Sequence, residues 1–355
     1  MITRKVIQMM NAILGLGLLA AAGPVAAQMP YAITDLGVLR GGSARVHALN
    51  SQGEAVGGSG FVYGTDRHAF LWKSGHGLRD LGRLPGGDIS EAFGINDAGE
   101  VVGTSNTGNT IQGFTWTGAD GLQTLSRLAG TNASQAYAVD AKGDVAGICG
   151  THATLWTKGN IVDLGALPGA DRSEAHGLNN QGQVVGSSSS PEGVRAFLWS
   201  GGMMQSLGVL PGDESSRANL INDQGMVVGA SQGSSGVHAF LWTAAKGMEP
   251  LGTLTGGNYS EAFGINNAGQ LVGTSGSSLG TRAMLWTAAT GMVDLNTLVE
   301  GGPPTLVLTG AFAINDKGEI VAFGVNESNL GRNRESEDDR DMHHAGTRVF
   351  LLSPQ

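Results

Sequence analysis

Six tryptophans, Trp72, Trp116, Trp156, Trp199, Trp242 and Trp286, follow one another at intervals of 44, 40, 43, 43 and 44 residues. A period of about 40–45 residues belongs to arrays of one supersecondary unit, either propeller blades or stacked helix pairs, in which no unit buries its apolar face alone. Glycine decides between the two. The chain holds 59 glycines in 355 residues, and each interior glycine costs a helix ~1 kcal/mol. Short strands joined by tight turns accommodate the same residue without penalty.

Four landmarks recur in fixed order around the tryptophans. The first is a Leu-Gly step, as in Asp35-Leu36-Gly37 and Asp80-Leu81-Gly82. The second is Asn-x-x-Gly, at Asn50–Gly53, Asn96–Gly99 and four further places, with Asp140–Gly143 as an Asp variant. The third is an apolar run ending in glycine, such as Val101-Val102-Gly103, and the fourth is Ala-Phe-Leu-Trp, as at Ala69–Trp72. Asn or Asp opens a type I turn by bonding its side chain to the backbone beyond it, and the glycine takes the left-handed conformation that follows. Flanked by apolar runs, this reads as a β-hairpin with a glycine bulge. Phe-Leu-Trp supplies a third strand and Gly77–Gly82 a fourth. Four antiparallel strands per unit, seven times, predict an all-β fold, a seven-bladed β-propeller. A β-solenoid is the competing architecture, but its coils are shorter and its strands parallel.

The phase of the strands predicts how the ring closes. Tyr31–Gly37 is a strand of the Asp-Leu-Gly type with no partner before it. The last unit stops at Phe350–Leu352, with Leu352 in the place of tryptophan, where a strand of that type is due. The N-terminal strand is therefore expected to complete the last blade.

Residues 1–27 read as a secretory signal peptide: Arg4 and Lys5, an apolar stretch from about Ala12 to Ala22, then Val25-Ala26-Ala27 at the cleavage positions. Residues 28–355 are expected to form one propeller domain, secreted or periplasmic, monomeric, and without a membrane span. Removing Arg4 and Lys5 leaves 19 basic against 30 acidic residues, and such a surface repels phosphate backbones, which excludes nucleic acid as a partner class. A single cysteine, Cys149, permits no internal disulfide. It takes the place of the residue after the apolar run (Thr104, Ser187, Ala230, Thr274) and reads as a small buried hydrophobe.

The strand motif His68-Ala69-Phe70, repeated as His238-Ala239-Phe240, resembles the HAF-repeat family of extracellular repeat proteins. The resemblance also rests on Asp-Leu-Gly, Leu84–Gly87 and Ile-Asn-x-x-Gly, and covers residues 31–325. It implies secretion and a repeated β-fold, and it brings no activity and no catalytic residues. His152-Ala153-Thr154 and Arg348-Val349-Phe350 depart from the motif.

Two rings of equivalent residues could carry function. The residue before Ala-Phe-Leu-Trp is His68, Gln112, His152, Arg195, His238, Arg282 or Arg348. These read as blade adhesive, and three histidines on alternate blades lie too far apart to share a metal. Five residues before the turn Asn stand Arg45, Glu91, Gln135, Glu174, Arg217 and Glu261, with Gly310 last. Serines precede them (Ser90, Ser134, Ser173, Ser216, Ser260), and small residues follow, as suits the crowded strand nearest the axis. Arg, Glu and Ser side chains would then crown one mouth of the channel and hydrogen-bond a carbohydrate, a surface polymer or a protein partner.

No catalytic, metal or cofactor motif is identified, so a non-enzymatic binding platform is the favoured reading. The alternative is a polysaccharide hydrolase or lyase using the channel-mouth Glu and Arg, which would need carboxylates at a defined ~5–9.5 Å separation. A charged insertion at 326–346, with Glu335, Asp338, Asp339, Asp341, His343 and His344 among interleaved arginines, reads as a solvated surface loop.

Overall fold

The computed structural model describes residues 30–39, 43–60, 67–327 and 348–355. The expected leader, and all but two residues of the charged insertion, lie outside them. The described chain is seven sheets, each built on four antiparallel strands. Blade 1 is Ser43–Leu49, Ala55–Gly60, His68–Lys73 and Gly77–Gly82, and five more blades repeat that order. Their innermost strands are Ser90–Ile95, Ser134–Val139, Arg172–Leu178, Asp213–Ile221 and Ser260–Ile265, and that of blade 7 is Leu306–Ile314. Each innermost strand touches those of both neighbouring blades, and the first touches the last. The sheets therefore form a closed ring.

Closure follows the predicted phase. Tyr31–Asp35 pairs antiparallel with Arg348–Pro354, Tyr31 opposite Pro354 and Asp35 opposite Phe350. Leu36 N–H extends the ladder to the Val349 carbonyl at 3.0 Å, and Arg348 forms an ion pair with Asp35. A fifth strand was not foreseen. Asp294 caps a short 3₁₀ turn, Leu295–Leu298, and the chain leaving it runs parallel to the N-terminal strand over Val299–Glu300. The long connection between blades 6 and 7 thereby covers the edge that a ring-closing strand would otherwise expose.

The hairpin turns have the expected geometry. Asn50 N–H reaches the Glu54 carbonyl, Gly53 N–H returns to the Asn50 carbonyl, and Gly53 sits at φ 76°. The core lies between blades. Phe70, Phe114, Phe197, Phe240 and Phe350 are fully buried at equivalent places, each contributing about 1.5–3 kcal/mol. The tryptophans sit further out: Trp72, Trp116 and Trp156 are buried, and Trp199, Trp242 and Trp286 half-buried.

A second irregularity recurs in every blade. In blade 2, Ala92 opposes Gly103 and Gly94 opposes Val102, so Phe93 is an extra, bulged residue. The same shift occurs in the innermost strand of every blade. It explains the glycine of the apolar run. A Cβ at Gly103 would strike the carbonyl oxygen of Glu91, and Gly57, Gly147, Gly186, Gly229 and Gly273 meet the equivalent carbonyls. Glycine inside a strand marks close backbone approach at a bulge.

Candidate functional site

The innermost strands line the channel in three layers. Near the strand starts stands the ring Arg45, Glu91, Gln135, Glu174, Arg217 and Glu261. Two residues on, at the bulge, are His47, Phe93, Tyr137, His176, Asn219, Phe263 and Phe312, all half-buried. At the strand ends the seven Asn or Asp turns frame an opposite mouth of about 240 Å³.

The strand-start ring is divided between structural and presented groups. Glu91 is locked: His47 Nε2 lies 2.7 Å from one carboxylate oxygen and Arg67 donates to the other at 2.8 Å. Burial alone would raise its carboxyl, but His47 and Arg67 overturn that and hold it at about 2. Glu91 is therefore an ion-pair partner in the wall, and a carboxylate held ionised this firmly does not suit the general-acid role that glycoside cleavage requires. Glu261 is also engaged, by Arg217 and by the Asn219 amide, each at 3.1 Å. Arg45 and Gln135 are half-buried. Glu174 and Arg217 protrude, with side chains 40% and 47% exposed.

The serines expected to crown this mouth do not reach it. Ser90 is buried between blades, where its hydroxyl accepts from Ala69 N–H at 2.8 Å and donates to the Gly82 carbonyl at 2.6 Å. Ser173, Ser216 and Ser260 make the same two bonds to their preceding blades, and Ser134 accepts the equivalent N–H of Gly113. They are inter-blade clips. At three blades the residue preceding Ala-Phe-Leu-Trp makes its ion pair within its own blade and not between blades. His68 pairs with Asp80 at 2.8 Å, His152 with Asp163 at 3.0 Å and Arg282 with Asp294 at 3.8 Å. The Asp of Asp-Leu-Gly thus ties the third strand to the fourth.

Cys149 lies one residue away from the assigned equivalence. It pairs across the ladder with Ser134, as Ser105 pairs with Ser90. Its true counterparts are Ser59, Ser105, Ser188, Ser231 and Ser275, whose hydroxyls accept a leucine N–H from the preceding connection. The sulfur does the same for Leu128 N–H at 3.2 Å. It is buried, but as an acceptor.

The bulge layer was missed in the sequence. Phe93 meets His47 and Tyr137 at ring-centroid distances of 4.7 and 5.3 Å, and Tyr137 meets His176 edge-on at 6.4 Å. Phe263 stacks on Phe312 at 4.6 Å across the blade 6–7 junction. His176 gives its Nδ1 proton to the Ala218 carbonyl at 2.8 Å, and burial pushes its imidazole below the ordinary value against the pull of Glu174. Burial, reinforced by the Glu174 carboxylate that it hydrogen-bonds, raises the Tyr137 hydroxyl. Tyr137, His176, Glu174 and Arg217 thus form one continuous arc over blades 3 to 5. The one signal in the sequence was the mid-strand glycine opposite the bulge in six blades, with Ala322 in that place in the seventh.

At the far mouth, the turn asparagines link the blades into a belt. Asn50 Nδ2 donates to the Asn96 carbonyl at 3.2 Å, and Asn96 to that of Asp140 at 2.9 Å. Asn179, Asn222, Asn266 and Asn315 continue it at 3.0 Å each, the last returning to the Asn50 carbonyl.

No family model matches this chain, and neither does any curated protein. Among solved structures, the chain is similar to the extracellular domain of a one-component system from B. thetaiotaomicron, at a TM-score of 0.51 and 10% identity over 90% of this chain. It is also similar to Porphyromonas gingivalis dipeptidyl peptidase 4, at 0.50 and 9% identity over 81%. This chain spans 39% of the first and 50% of the second. Likeness at such identities is one of fold alone. Among the described residues no helix is long and apolar enough to cross a membrane.

Proposed function

We propose that this protein is an exported, non-enzymatic binding platform of the HAF-repeat type, and that its ligand is a carbohydrate, free or borne on a surface polymer. The reading rests on one observation: of the strand-start ring, Glu174 and Arg217 keep side chains 40% and 47% exposed on neighbouring blades, Glu174 beside His176 and Arg217 paired with Glu261, whereas the Glu91 side chain is sunk in its ion pairs. A carboxylate and a guanidinium side by side can share the donors and acceptors of vicinal sugar hydroxyls. The half-buried faces of Tyr137 and His176 beside them offer a surface against which an apolar sugar face can stack.

A glycan array with the native protein tests this, followed by Glu174→Ala and Arg217→Ala. Binding without turnover, lost in both variants at unchanged thermal midpoint, supports the proposal. Turnover of a polysaccharide, abolished by either substitution, would replace it with the hydrolase or lyase reading.

A further inference from the structure

The asparagine belt is broken at one of its seven junctions. In blade 3 the turn residue is Asp140. Its Oδ1 accepts from Lys142 N–H at 2.8 Å and Asp144 N–H at 2.9 Å. These are the bonds that Asn50 Oδ1 takes from Gln52 and Glu54. Asp140 Oδ2 therefore occupies the place of the amide nitrogen that elsewhere donates to the next blade. The residue is 3% exposed, and Oδ2 is buried with no hydrogen-bond partner among the described residues. By the repeat of the other junctions its counterpart is the Asn179 carbonyl, which takes its own turn's Gly182 N–H at 2.9 Å but lacks the amide donor its equivalents receive.

We propose that this junction holds a hard, oxygen-seeking metal cation of the calcium type between the Asp140 carboxylate and the Asn179 carbonyl. By that repeat, two oxygens take the places between which six other junctions put a hydrogen. A buried carboxylate without a partner is costly, and a bound cation offsets that cost while satisfying the carbonyl.

The neighbouring residues favour an ion in two ways. In five of the six other blades the side chain four residues on reaches the amide: Glu54 at 2.9 Å, Glu100 at 2.8 Å, Gln183 at 2.7 Å, Gln270 at 2.8 Å and Glu319 at 2.7 Å. In blade 3 that residue is Asp144, one methylene shorter. The shortening draws this carboxylate back from the turn amide position and keeps an anionic oxygen on the same turn. Charge is also unbalanced there. Glu100 packs against Gly143 of the turn, and the Lys142 ammonium is committed to the Asn180 carbonyl at 2.6 Å. Carboxylate and main-chain carbonyl oxygens are the ligand set calcium takes, with water completing the shell. Asp140 and Asn179 both line the turn-side mouth. This site is separate from the carbohydrate arc at the opposite mouth and does not depend on it.

The test uses the full chain stripped with a chelator and titrated with calcium, followed by calorimetry and by thermal unfolding. The wild type is expected to release heat at one site and gain several degrees in midpoint. Asp140→Asn restores the missing donor, so it should lose both responses and unfold above the metal-free wild type. Asp144→Asn, which keeps the turn intact, should weaken calcium binding by about tenfold or more. Three results would overturn the proposal: no calcium response in the wild type, a response that survives Asp140→Asn, or a chelated wild type that gains stability only as pH is lowered. The last would place a proton where the metal is proposed.

Discussion

Asn315→Ala would cut the asparagine belt where the ring closes. The buried Asn315 donates from Nδ2 to the Asn50 carbonyl at 3.0 Å and to Glu319 at 2.7 Å. Its Oδ1 accepts from Lys317 N–H at 3.1 Å and Glu319 N–H at 2.9 Å. Orphaning a buried polar group costs ~1–3 kcal/mol, but not every partner is sealed from water. Lys317 is exposed and Glu319 half-buried, so solvent can satisfy part of the loss, whereas Asn50 is buried. The net destabilisation is then about 2–3 kcal/mol, or ~3–4 °C in the midpoint of a chain this size. Urea denaturation should show a lower transition midpoint at unchanged slope. Asn315→Asp separates the two halves of the interaction. It keeps the acceptor but removes the donor and sets a carboxylate against Glu319, so it should cost at least as much as alanine. An alanine variant within ~0.5 kcal/mol of wild type, the range of an inert surface change, would refute the structural role of the belt.

Glu91 should govern the acid limb of stability. Its carboxyl is depressed in the folded state from 4.5 to about 2, so its contribution is complete above the unfolded value and is lost as pH falls from about 4.5 through 2. Its side chain is only 14% exposed, and the shift corresponds to roughly 3 kcal/mol. Urea midpoints of wild type and Glu91→Gln should differ at pH 6 and converge by about pH 2; a constant gap would contradict the ion-pair assignment. Cys149→Ser should be neutral within ~0.5 kcal/mol, because serine fills this place in five other blades. Cys149→Ala should cost ~1–2 kcal/mol by leaving Leu128 N–H without its acceptor. Equal urea midpoints for the two variants would show that the sulfur only fills space.

Much of the architecture was legible because it is written in local chemistry. The Asn50–Gly53 turn needs only its own four residues to specify a hairpin, and the position of Tyr31–Asp35 ahead of the first full unit is enough to place it in the last blade. The candidate site was legible only in part. Arg45, Glu91, Gln135, Glu174, Arg217 and Glu261 do share one layer of the channel, but which are presented and which are locked depends on residues from other blades. Arg67 reaches Glu91 from blade 1, and Asn219 reaches Glu261 from blade 5. Reading the serines as channel-facing failed because it treated the innermost strand as lying alone, when its Ser face is pressed into the preceding blade.

By itself, the sequence determined the number of blades, the order of their strands and the way the ring closes, since period and turn chemistry act within one unit. Only the tertiary structure decided what faces the channel. The bulge that turns Phe93, Tyr137 and His176 inward comes from two strands pressing together at a glycine. The orphaned oxygen of Asp140 matters because blade 4 supplies a carbonyl as its counterpart. Both are contacts between segments that no spacing along the chain encodes.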